Sequence, residues 1–387
     1  MHFCLVVFKF LLLCFGAGYA FTLLLFILGW LRLKTFKENS RSAFVTDVSI
    51  VIPARNEEEG IVQTIMDINN QNFPAERIQL ILINDNSTDA TLQKIQDCLE
   101  SEKENIKIDV LVLNLAEDAR SVAYKKRAIT LGIEHATGTL VVTSDADCRR
   151  GPNWLRSIVA YYETAAPGFI SAPVAFDQEK NWFEKFQTLE FLGLIGIGAG
   201  SIGCGIPVMC NGANLAFKKE FFYEVKGYEG VNAIASGDDV FLMFKIAAKY
   251  SGSVHFIKSR EAIVYTNAKS SLGEFIEQRK RWASKGAKNN SVVVLLIGVF
   301  TYMFHLLLLF AGIISIFYNT FTSILIAALA LKILCEFILL FLVTGFFKRR
   351  SLLFHFLQEQ FLYVPYIVWV GALGTFSKYK WKGRMVQ

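Results

Sequence analysis

Apolar residues gather at the two ends of this chain, and the middle alternates between apolar and polar stretches. Residues 10–31 form an uncharged apolar run, about as long as the roughly 20 residues that cross a membrane as a helix. Two further runs, at residues 291–317 and 321–347, have the same character. The pattern predicts an N-terminal anchor at residues 1–34, a polar domain at residues 45–270 and a C-terminal membrane region at residues 291–376.

Basic residues mark one end of these helices. Arg32, Lys34 and Lys37 follow the first run, and residues 348–350 (Lys-Arg-Arg) follow the third. By the positive-inside rule both positions are cytoplasmic, so the polar domain is expected on the cytoplasmic side. A cleaved signal peptide is the alternative for the first run. The apolar residues continue past its candidate cleavage site at Ala20, which favours an uncleaved anchor.

Two apolar segments are harder to assign. Residues 352–376 contain Glu359 and Pro365. A full crossing would put the basic tail, residues 377–387, outside, whereas a re-entrant or interfacial segment would keep it inside. Both alternatives stay open. The run at residues 191–210 is predicted to be a loop or short helix beside the membrane, because its six glycines weaken an isolated helix.

Within the polar domain, strand-like apolar runs alternate with amphipathic stretches. Four buried strands are predicted at residues 48–52, 78–83, 107–113 and 139–144, with helices from about residue 57 and over residues 125–136. Strands that alternate with helices form a parallel sheet through right-handed crossovers. The predicted fold class is α/β, Rossmann-like with a mostly parallel sheet, with one N-terminal and two to three C-terminal transmembrane helices.

Polar clusters follow three of the predicted strands, at residues 55–57, 85–89 and 145–147. The carboxyl ends of parallel strands lie along one edge of a sheet, where ligands bind in open α/β folds. Asp145 and Asp147 alternate along an extended chain, so both carboxylates can share one face. Such oxygen ligands suit a divalent ion that binds a diphosphate. A solvated acidic turn is the alternative for this pair alone.

Composition narrows the class of protein. Hydrophobic residues make up 53% of the chain and charged residues 19%, which is too apolar for an ordinary soluble enzyme. No Cys-x-x-Cys pair occurs among the seven cysteines, so neither a zinc site nor a disulfide framework is favoured. The net charge of +6 is compatible with lipid headgroups, and no nucleic-acid partner is expected.

Several motifs together resemble glycosyltransferase family 2 with its GT-A nucleotide-sugar fold. They are Val-Ser-Ile-Val-Ile-Pro-Ala-Arg-Asn-Glu-Glu from Val48, Asn-Asp-Asn-Ser-Thr-Asp from Asn84, Lys-Lys-Arg-Ala-Ile from Lys125, and Asp-Ala-Asp from Asp145. The resemblance extends to Trp282. It implies that the donor is bound by Ala54, Arg55, Glu57, Asp85, Lys125 and Asp145. It also implies that Asp145 and Asp147 hold the donor's diphosphate with Mg²⁺ or Mn²⁺, with Asp147 as the direct metal ligand.

The same resemblance assigns an acceptor side. Asn211, Gly212 and Asn214 resemble the family's acceptor loop, and Asp238-Asp239 resembles its catalytic acid pair, with Asp239 as the base. Inverting sugar transfer needs a carboxylate that takes the acceptor hydroxyl's proton. For the acid pair alone, a helix N-terminus whose acids complement the helix dipole is the alternative.

Residues 271–290 form a basic amphipathic stretch before the second membrane run, with the sequence Gln278-Arg279-Lys280-Arg281-Trp282. An interfacial helix that binds headgroups accounts for its composition. The stretch also matches the Q-x-x-R-W motif of membrane glycosyltransferases. That resemblance implies a catalytic Arg281 near the departing diphosphate, and Gln278 and Trp282 on the acceptor side.

The expected function is a membrane-bound inverting glycosyltransferase, located in the plasma (inner) membrane with a cytoplasmic catalytic domain. It would transfer a sugar from a nucleotide-sugar donor, expected from the family to be a UDP-sugar, to a lipid or lipid-linked acceptor. A processive polysaccharide synthase of the cellulose, chitin or hyaluronan type is the main alternative. A non-catalytic nucleotide-sugar-binding membrane protein is a remote one.

Overall fold

The computed structural model describes residues 2–38, 43–116, 123–232, 234–287, 291–376, 379–382 and 384–386. A mixed α/β domain packs against long apolar helices contributed by both ends of the chain. The first of these helices, α1 (His2–Arg32), precedes the domain. Positions 377, 378, 383 and 387 of the predicted basic tail lie outside the described residues.

Seven strands form the central sheet: β1 (Val48–Ala54), β2 (Ile78–Asn84), β3 (Asp109–Asn114), β4 (Leu140–Ser144), β6 (Phe169–Ser171), β8 (Asn214–Lys218) and β9 (Val254–Phe256). Their order is β3-β2-β1-β4-β8-β6-β9. Strands β1, β2, β3 and β4 are all parallel to one another, whereas β8 is antiparallel to its neighbours β4 and β6. The predicted α/β fold with its four initial strands is confirmed. A second sheet contains β5 (Arg149–Arg150), β7 (Val174–Phe176) and β10 (Val264–Thr266).

Helices cover the faces of the sheet. They are α2 (Ile61–Asn69), α3 (Thr91–Ser101), α4 (Tyr124–Glu134), α5 (Trp154–Ala165), α7 (Lys219–Glu224) and α8 (Asp238–Lys249). The helix predicted from about residue 57 begins instead at Ile61, because Glu57 lies in the turn where its backbone N–H donates to Thr91 Oγ1 (2.8 Å). The polar residues after β1 therefore stay at the edge of the sheet.

Four helical segments of the described chain are long and apolar enough to cross a membrane: Leu5–Arg32, Trp182–Gly203, Val292–Phe317 and Asn319–Phe347. Three of them coincide with the predicted membrane runs, and the last two contain α10 (Val292–Phe317) and α11 (Thr322–Phe346). Their length and apolar composition are those of membrane-spanning helices.

The second of these segments, α6 (Trp182–Gly203), corrects the prediction of a loop or short helix over residues 191–210. Its glycines allow α6 to approach α1 closely: a Cβ on Gly200 would lie 2.2 Å from the carbonyl oxygen of Phe26, and one on Gly203 would lie 2.3 Å from that of Gly29. Residues that weaken an isolated helix thus permit a tight helix crossing. The prediction considered only the low helix propensity of glycine and left out the packing of α6 against α1.

Two more helices flank α10 and α11. Helix α9 (Leu272–Ala287) precedes α10, and α12 (Phe356–Phe376) follows α11. A short hairpin of β11 (Tyr379–Trp381) and β12 (Arg384–Val386) follows α12. Inside the bundle, Lys332 Nζ donates to Glu336 Oε2 (2.9 Å) and to Gln360 Oε1 (2.5 Å). The two charges are therefore paired within α11, and neutral Gln360 of α12 accepts a further hydrogen bond, as a low-dielectric environment requires.

Candidate active site

One large cavity, of about 1330 Å³, opens at the carboxyl ends of β1, β2 and β4. All but one of the predicted site residues line it: Ala54, Arg55, Glu57, Asp85, Lys125, Asp145, Asp147, Asn211, Gly212, Asp238, Asp239, Gln278, Arg281 and Trp282. The parallel sheet brings the residues after separate strands together, as the sequence predicted.

The donor side is ordered by contacts between the loops after β1 and β2. Arg55 Nη1 donates to the backbone carbonyls of Asp85 (2.7 Å) and Asn86 (2.5 Å). Asp85 is almost fully buried, at 2% exposure. Burial, followed by the charge of Asp147, raises the pKa of Glu57 to about 7. The Arg55 guanidinium thus holds the two loops at a fixed separation beside a weakly acidic Glu57.

Lys125 at the start of α4 connects the two halves of the site. Its Nζ lies 2.7 Å from Asp145 Oδ1 and 3.4 Å from Asp238 Oδ2. Burial alone would lower the pKa of Lys125, but Asp145 and Asp238 outweigh it and hold that pKa well above its usual value. Burial would likewise raise the pKa of Asp145, but Lys125 and Arg281 hold it below its usual value. The Lys125 ammonium therefore lies between Asp145, which follows β4, and Asp238, which begins α8.

The Asp-Ala-Asp turn is held by residues that the sequence analysis missed. Arg150, buried at 6% exposure, donates to Ser144 Oγ (2.8 Å) and to the backbone carbonyls of Asp145 (2.8 Å) and Cys148 (3.0 Å). Thr64 Oγ1 donates to the carbonyl of Ala146 (2.7 Å). An arginine three residues after the acid pair is the sequence signal that could have identified this support.

Asp145, Asp147 and Cys148 place one ligand atom each within 4.8 Å of one another. Burial raises the pKa of the Cys148 thiol well above its usual value, so that thiol stays protonated and is a poor ligand. The two carboxylates remain, and oxygen ligands of this kind fit Mg²⁺ or Mn²⁺. Asp145 is already paired with Lys125, which leaves the exposed Asp147 as the more available ligand.

The acid pair lies at the first turn of α8, after Gly237 in the left-handed region (φ 85°). Asp238 and Asp239 are buried, at 8% and 5% exposure, and both line the cavity. Asp239 Oδ2 accepts from the backbone N–H of Gly212 (3.1 Å), so the acceptor loop contacts the predicted base directly.

Asn214 lies elsewhere than predicted. It is fully buried. Its Nδ2 donates to the backbone carbonyls of Pro173 and Ala262 (both 2.8 Å), and its Oδ1 accepts a hydrogen bond from Trp154 Nε1 (3.0 Å). It is not among the described residues that line the cavity. Its hydrogen bonds are used inside the domain, where they join β8 to neighbouring segments, so the structure gives no support to an acceptor-side role.

Helix α9 closes the cavity on the membrane side through Gln278, Arg281 and Trp282. The residue between them, Arg279, anchors the helix. Its guanidinium donates to Glu190 Oε2 on α6 through Nε (3.0 Å) and Nη2 (2.5 Å), and it lies 4.3 Å from the ring centroid of Trp282. Tyr366 of α12 donates to the other oxygen of Glu190 (2.7 Å). The sequence analysis missed this junction of three helices.

The same cavity is also lined by the membrane helices α10 and α12. We call this part of its lining the apolar passage, because the residues are almost all apolar: Val294, Leu295, Ile297, Gly298, Val299, Tyr302, Met303, Tyr366, Ile367, Val370 and Gly371. A charged site and an apolar passage thus form one continuous space.

Comparison with known families gives two matches. Residues 49–225 match Glycosyl transferase family 2, and residues 140–348, more than half of the chain, match Glycosyl transferase family group 2. The two ranges together include the cavity residues from Ala54 to Trp282.

Three curated relatives are similar to this chain. The probable glycosyltransferase YdaM of Bacillus subtilis is 22% identical over 79% of this chain and 75% of its own length. The glucosyl-dolichyl phosphate glucuronosyltransferase of Haloferax volcanii is 27% identical over 49% of this chain and 58% of its own length. The undecaprenyl-phosphate 4-deoxy-4-formamido-L-arabinose transferase of Proteus mirabilis is 27% identical over 41% and 48%. The chain thus spans about half the length of the latter two.

A solved structure shares the whole fold. The mannosyltransferase PcManGT from Pyrobaculum calidifontis, solved in complex with GDP-Man and Mn²⁺, superposes with a TM-score of 0.59 at 16% identity. The superposition covers 95% of this chain and 98% of that one, so the similarity includes the membrane helices as well as the domain.

Proposed function

Because this chain belongs to glycosyltransferase family 2, we propose that it transfers a single sugar from a nucleotide-sugar donor to a lipid-linked acceptor, with inversion at the anomeric carbon. The enzyme class follows from the family; the acceptor and the roles of individual residues are our proposal. The names of the relatives from Haloferax volcanii and Proteus mirabilis include lipid phosphates, which supports a lipid-linked acceptor.

In the proposed reaction Asp239 takes the proton of an acceptor hydroxyl while that oxygen attacks the anomeric carbon. The bond between this carbon and the diphosphate oxygen breaks, and the nucleoside diphosphate leaves. Lys125 and Arg281 lie where they can offset the negative charge that grows on the leaving group. Asp147 and Asp145 would hold a divalent ion, which supplies further positive charge to the diphosphate when bound.

The apolar passage between α10 and α12 is the observation that carries the choice of acceptor. A growing polysaccharide would leave its hydroxyl groups without hydrogen-bond partners against this lining. A hydrocarbon chain gains free energy on leaving water for such a lining. The apolar passage belongs to the same cavity as Trp282 and Asp239, so a lipid in it could present its headgroup to Asp239.

The polysaccharide synthase remains the second candidate, supported by the match of Gln278, Arg281 and Trp282 to Q-x-x-R-W. We place the catalytic domain on the cytoplasmic side of the plasma (inner) membrane, from the basic residues that follow α1 and α11. The donor nucleotide is expected to be UDP, and GDP is the alternative to test, since PcManGT was solved with GDP-Man.

The experiment is transfer from radiolabelled UDP- and GDP-sugars by purified protein in nanodiscs supplied with a membrane lipid extract. We expect one labelled product that partitions into organic solvent and carries one added sugar, and excess EDTA should stop its formation. A long water-soluble polymer would select the synthase. Nucleotide-sugar binding without any transfer would select the non-catalytic alternative, and unchanged transfer in EDTA would remove the metal.

A further inference from the structure

The C-terminal hairpin reaches the donor side of the cavity. Lys382, at the turn between β11 and β12, places its Nζ 2.5 Å from Glu57 Oε1. Its backbone carbonyl accepts a hydrogen bond from Arg55 Nε (3.2 Å). Both partners follow β1, more than 320 positions earlier in the chain. Two separate contacts, one from the side chain and one from the backbone, therefore join the hairpin tip to the donor loop.

The hairpin turn accounts for the backbone conformation at this tip. Strands β11 and β12 pair up to Trp381 and Arg384, so Lys382 is the first residue of a two-residue loop. Turns of this length commonly have a positive φ at that position, and Lys382 has a φ of 47°. Since the carbonyl of Lys382 accepts the Arg55 hydrogen bond, the turn itself contacts the loop after β1.

The charges around Lys382 indicate what it can bind. Its side chain is 29% exposed and lines the same cavity as Asp145 and Asp147. An ammonium group has three N–H donors, and one carboxylate oxygen of Glu57 takes up only part of this capacity. The ammonium therefore lies beside the predicted diphosphate position with donors to spare for an anionic ligand.

We propose that Lys382 is a donor-binding residue and that the C-terminal hairpin forms one wall of the donor site. This rests on the proposed function, because the anion concerned is the diphosphate of the donor. When the donor binds, the Lys382 ammonium donates a hydrogen bond to a phosphate oxygen, either in addition to its contact with Glu57 or in place of it. The composition of the basic tail alone would suggest that it binds lipid headgroups. In that arrangement Lys382 would not contact Glu57, as it does in the structure.

The test is equilibrium binding of UDP and of GDP, each with Mn²⁺, to the full-length protein in nanodiscs. Lys382→Met removes the ammonium and keeps much of the side chain, and Lys382→Arg keeps the charge. Lys380→Met is the matched control, since it removes the same charge from the same hairpin. A charge-assisted hydrogen bond of ordinary strength corresponds to about a tenfold change in Kd. We expect that loss in Lys382→Met, partial recovery in Lys382→Arg and a wild-type Kd in Lys380→Met.

A chain that ends at Phe376 should bind as weakly as Lys382→Met, which separates loss of the contact from an altered hairpin. In transfer assays, Lys382→Met should raise the KM for the donor and leave the KM for the acceptor unchanged. Equal Kd values for wild type and Lys382→Met would overturn this inference while the proposed function stands. Failure of the wild type to bind either nucleotide would overturn both.

Discussion

Asp238 and Asp239 are neighbours in sequence but have different surroundings. Asp238 Oδ2 faces the Lys125 ammonium at 3.4 Å, whereas Asp239 Oδ2 faces the backbone N–H of Gly212 on the acceptor loop. Both acids lie near Gly212 and both raise the pKa of Lys125, and Asp239 in addition accepts the hydrogen bond from the predicted acceptor loop. This difference supports Asp239, rather than Asp238, as the proposed base.

Asp239→Asn should lower the rate of transfer by about 10²- to 10⁴-fold, the usual contribution of a general base. The amide keeps the shape and the contact with Gly212, so binding of UDP or GDP with Mn²⁺ should be unchanged. Transfer and nucleotide binding are both measured, with Asp97→Asn, an exposed acid on α3, as control. Near-normal transfer by Asp239→Asn would remove it as the base.

Arg150 shows how a residue outside the cavity can determine a metal site. Its three hydrogen bonds shape the turn that carries Asp145 and Asp147. Arg150→Met should weaken Mn²⁺ binding by about 10- to 100-fold, as loss of an outer support to metal ligands commonly does. Electron paramagnetic resonance of added Mn²⁺ measures this affinity.

The adjacent Arg149 is the control for that experiment, because its side chain is 56% exposed and its guanidinium pairs with Asp67, whose side chain is 8% exposed. Arg149→Met should leave Mn²⁺ binding unchanged, since this guanidinium contacts Asp67 rather than the turn that carries Asp145 and Asp147. Equal Mn²⁺ affinity in the two variants would show that the turn keeps its shape without Arg150.

Among the secondary-structure elements, α6 depends on its glycines for contact with α1. Gly200→Ala should destabilise the protein by about 1–3 kcal/mol, because its Cβ would lie 2.2 Å from the carbonyl oxygen of Phe26 and would force the helices apart. The midpoint of thermal unfolding in detergent measures the effect. Gly312→Ala on α10 meets no atom within 4 Å and should be neutral or slightly stabilising. A similar change in both variants would argue against the close crossing.

Helix α9 is held in place by the buried pair of Arg279 and Glu190, whose side chains are 2% and 6% exposed. This pair joins α9 to α6, and Tyr366 extends the junction to α12. Since α9 also carries Gln278, Arg281 and Trp282, the junction determines where these three side chains lie.

Glu190→Gln should leave the Arg279 charge buried without its counter-charge, which costs about 3–5 kcal/mol in comparable pairs. We expect a lower midpoint of thermal unfolding and slower transfer. Glu224→Gln breaks the exposed pair with Lys249 and should change stability by no more than about 1 kcal/mol. If the two variants behaved alike, the Glu190 junction would contribute no more than a surface contact.

At the scale of the whole molecule, contacts at both ends of α12 bear on whether this helix crosses the membrane or is re-entrant, a choice that the sequence left open. Before α12, Arg349 Nη1 donates to the carbonyl of Asp177 in the domain (3.1 Å), and after α12, Lys382 contacts Glu57. A helix whose two ends meet the same domain does not take the chain across the membrane. We therefore favour a re-entrant α12, which also keeps the basic tail on the cytoplasmic side.

Labelling with a membrane-impermeant maleimide tests this topology, read against the signal of the seven native cysteines. Arg384→Cys in the hairpin should label from the same side as Asp97→Cys in the domain. Asn319→Cys, between α10 and α11, should label from the opposite side. Labelling of Arg384→Cys together with Asn319→Cys would mean that α12 crosses the membrane.

The sequence by itself determined the four parallel strands, three of the long apolar helices and all but one of the predicted site residues, which line the cavity together. These features depend on local chemistry. Apolar runs such as residues 78–83 specify a strand buried on both faces, long uncharged runs specify helices, and parallel strands bring their polar carboxyl ends to one edge. No knowledge of distant partners is needed for any of them.

The tertiary structure alone decided the conformation of α6, the burial of Asn214, the supports at Arg150 and Glu190, and the position of Lys382 beside Glu57 and Arg55. Each depends on a partner far away in sequence. The glycines of α6 weaken a helix until α1 packs against them, and the basic tail resembles a lipid anchor until Glu57 and Arg55 are found beside it. Short-range patterns carry no information about such contacts, because their free energy arises only when the chain has brought both partners together.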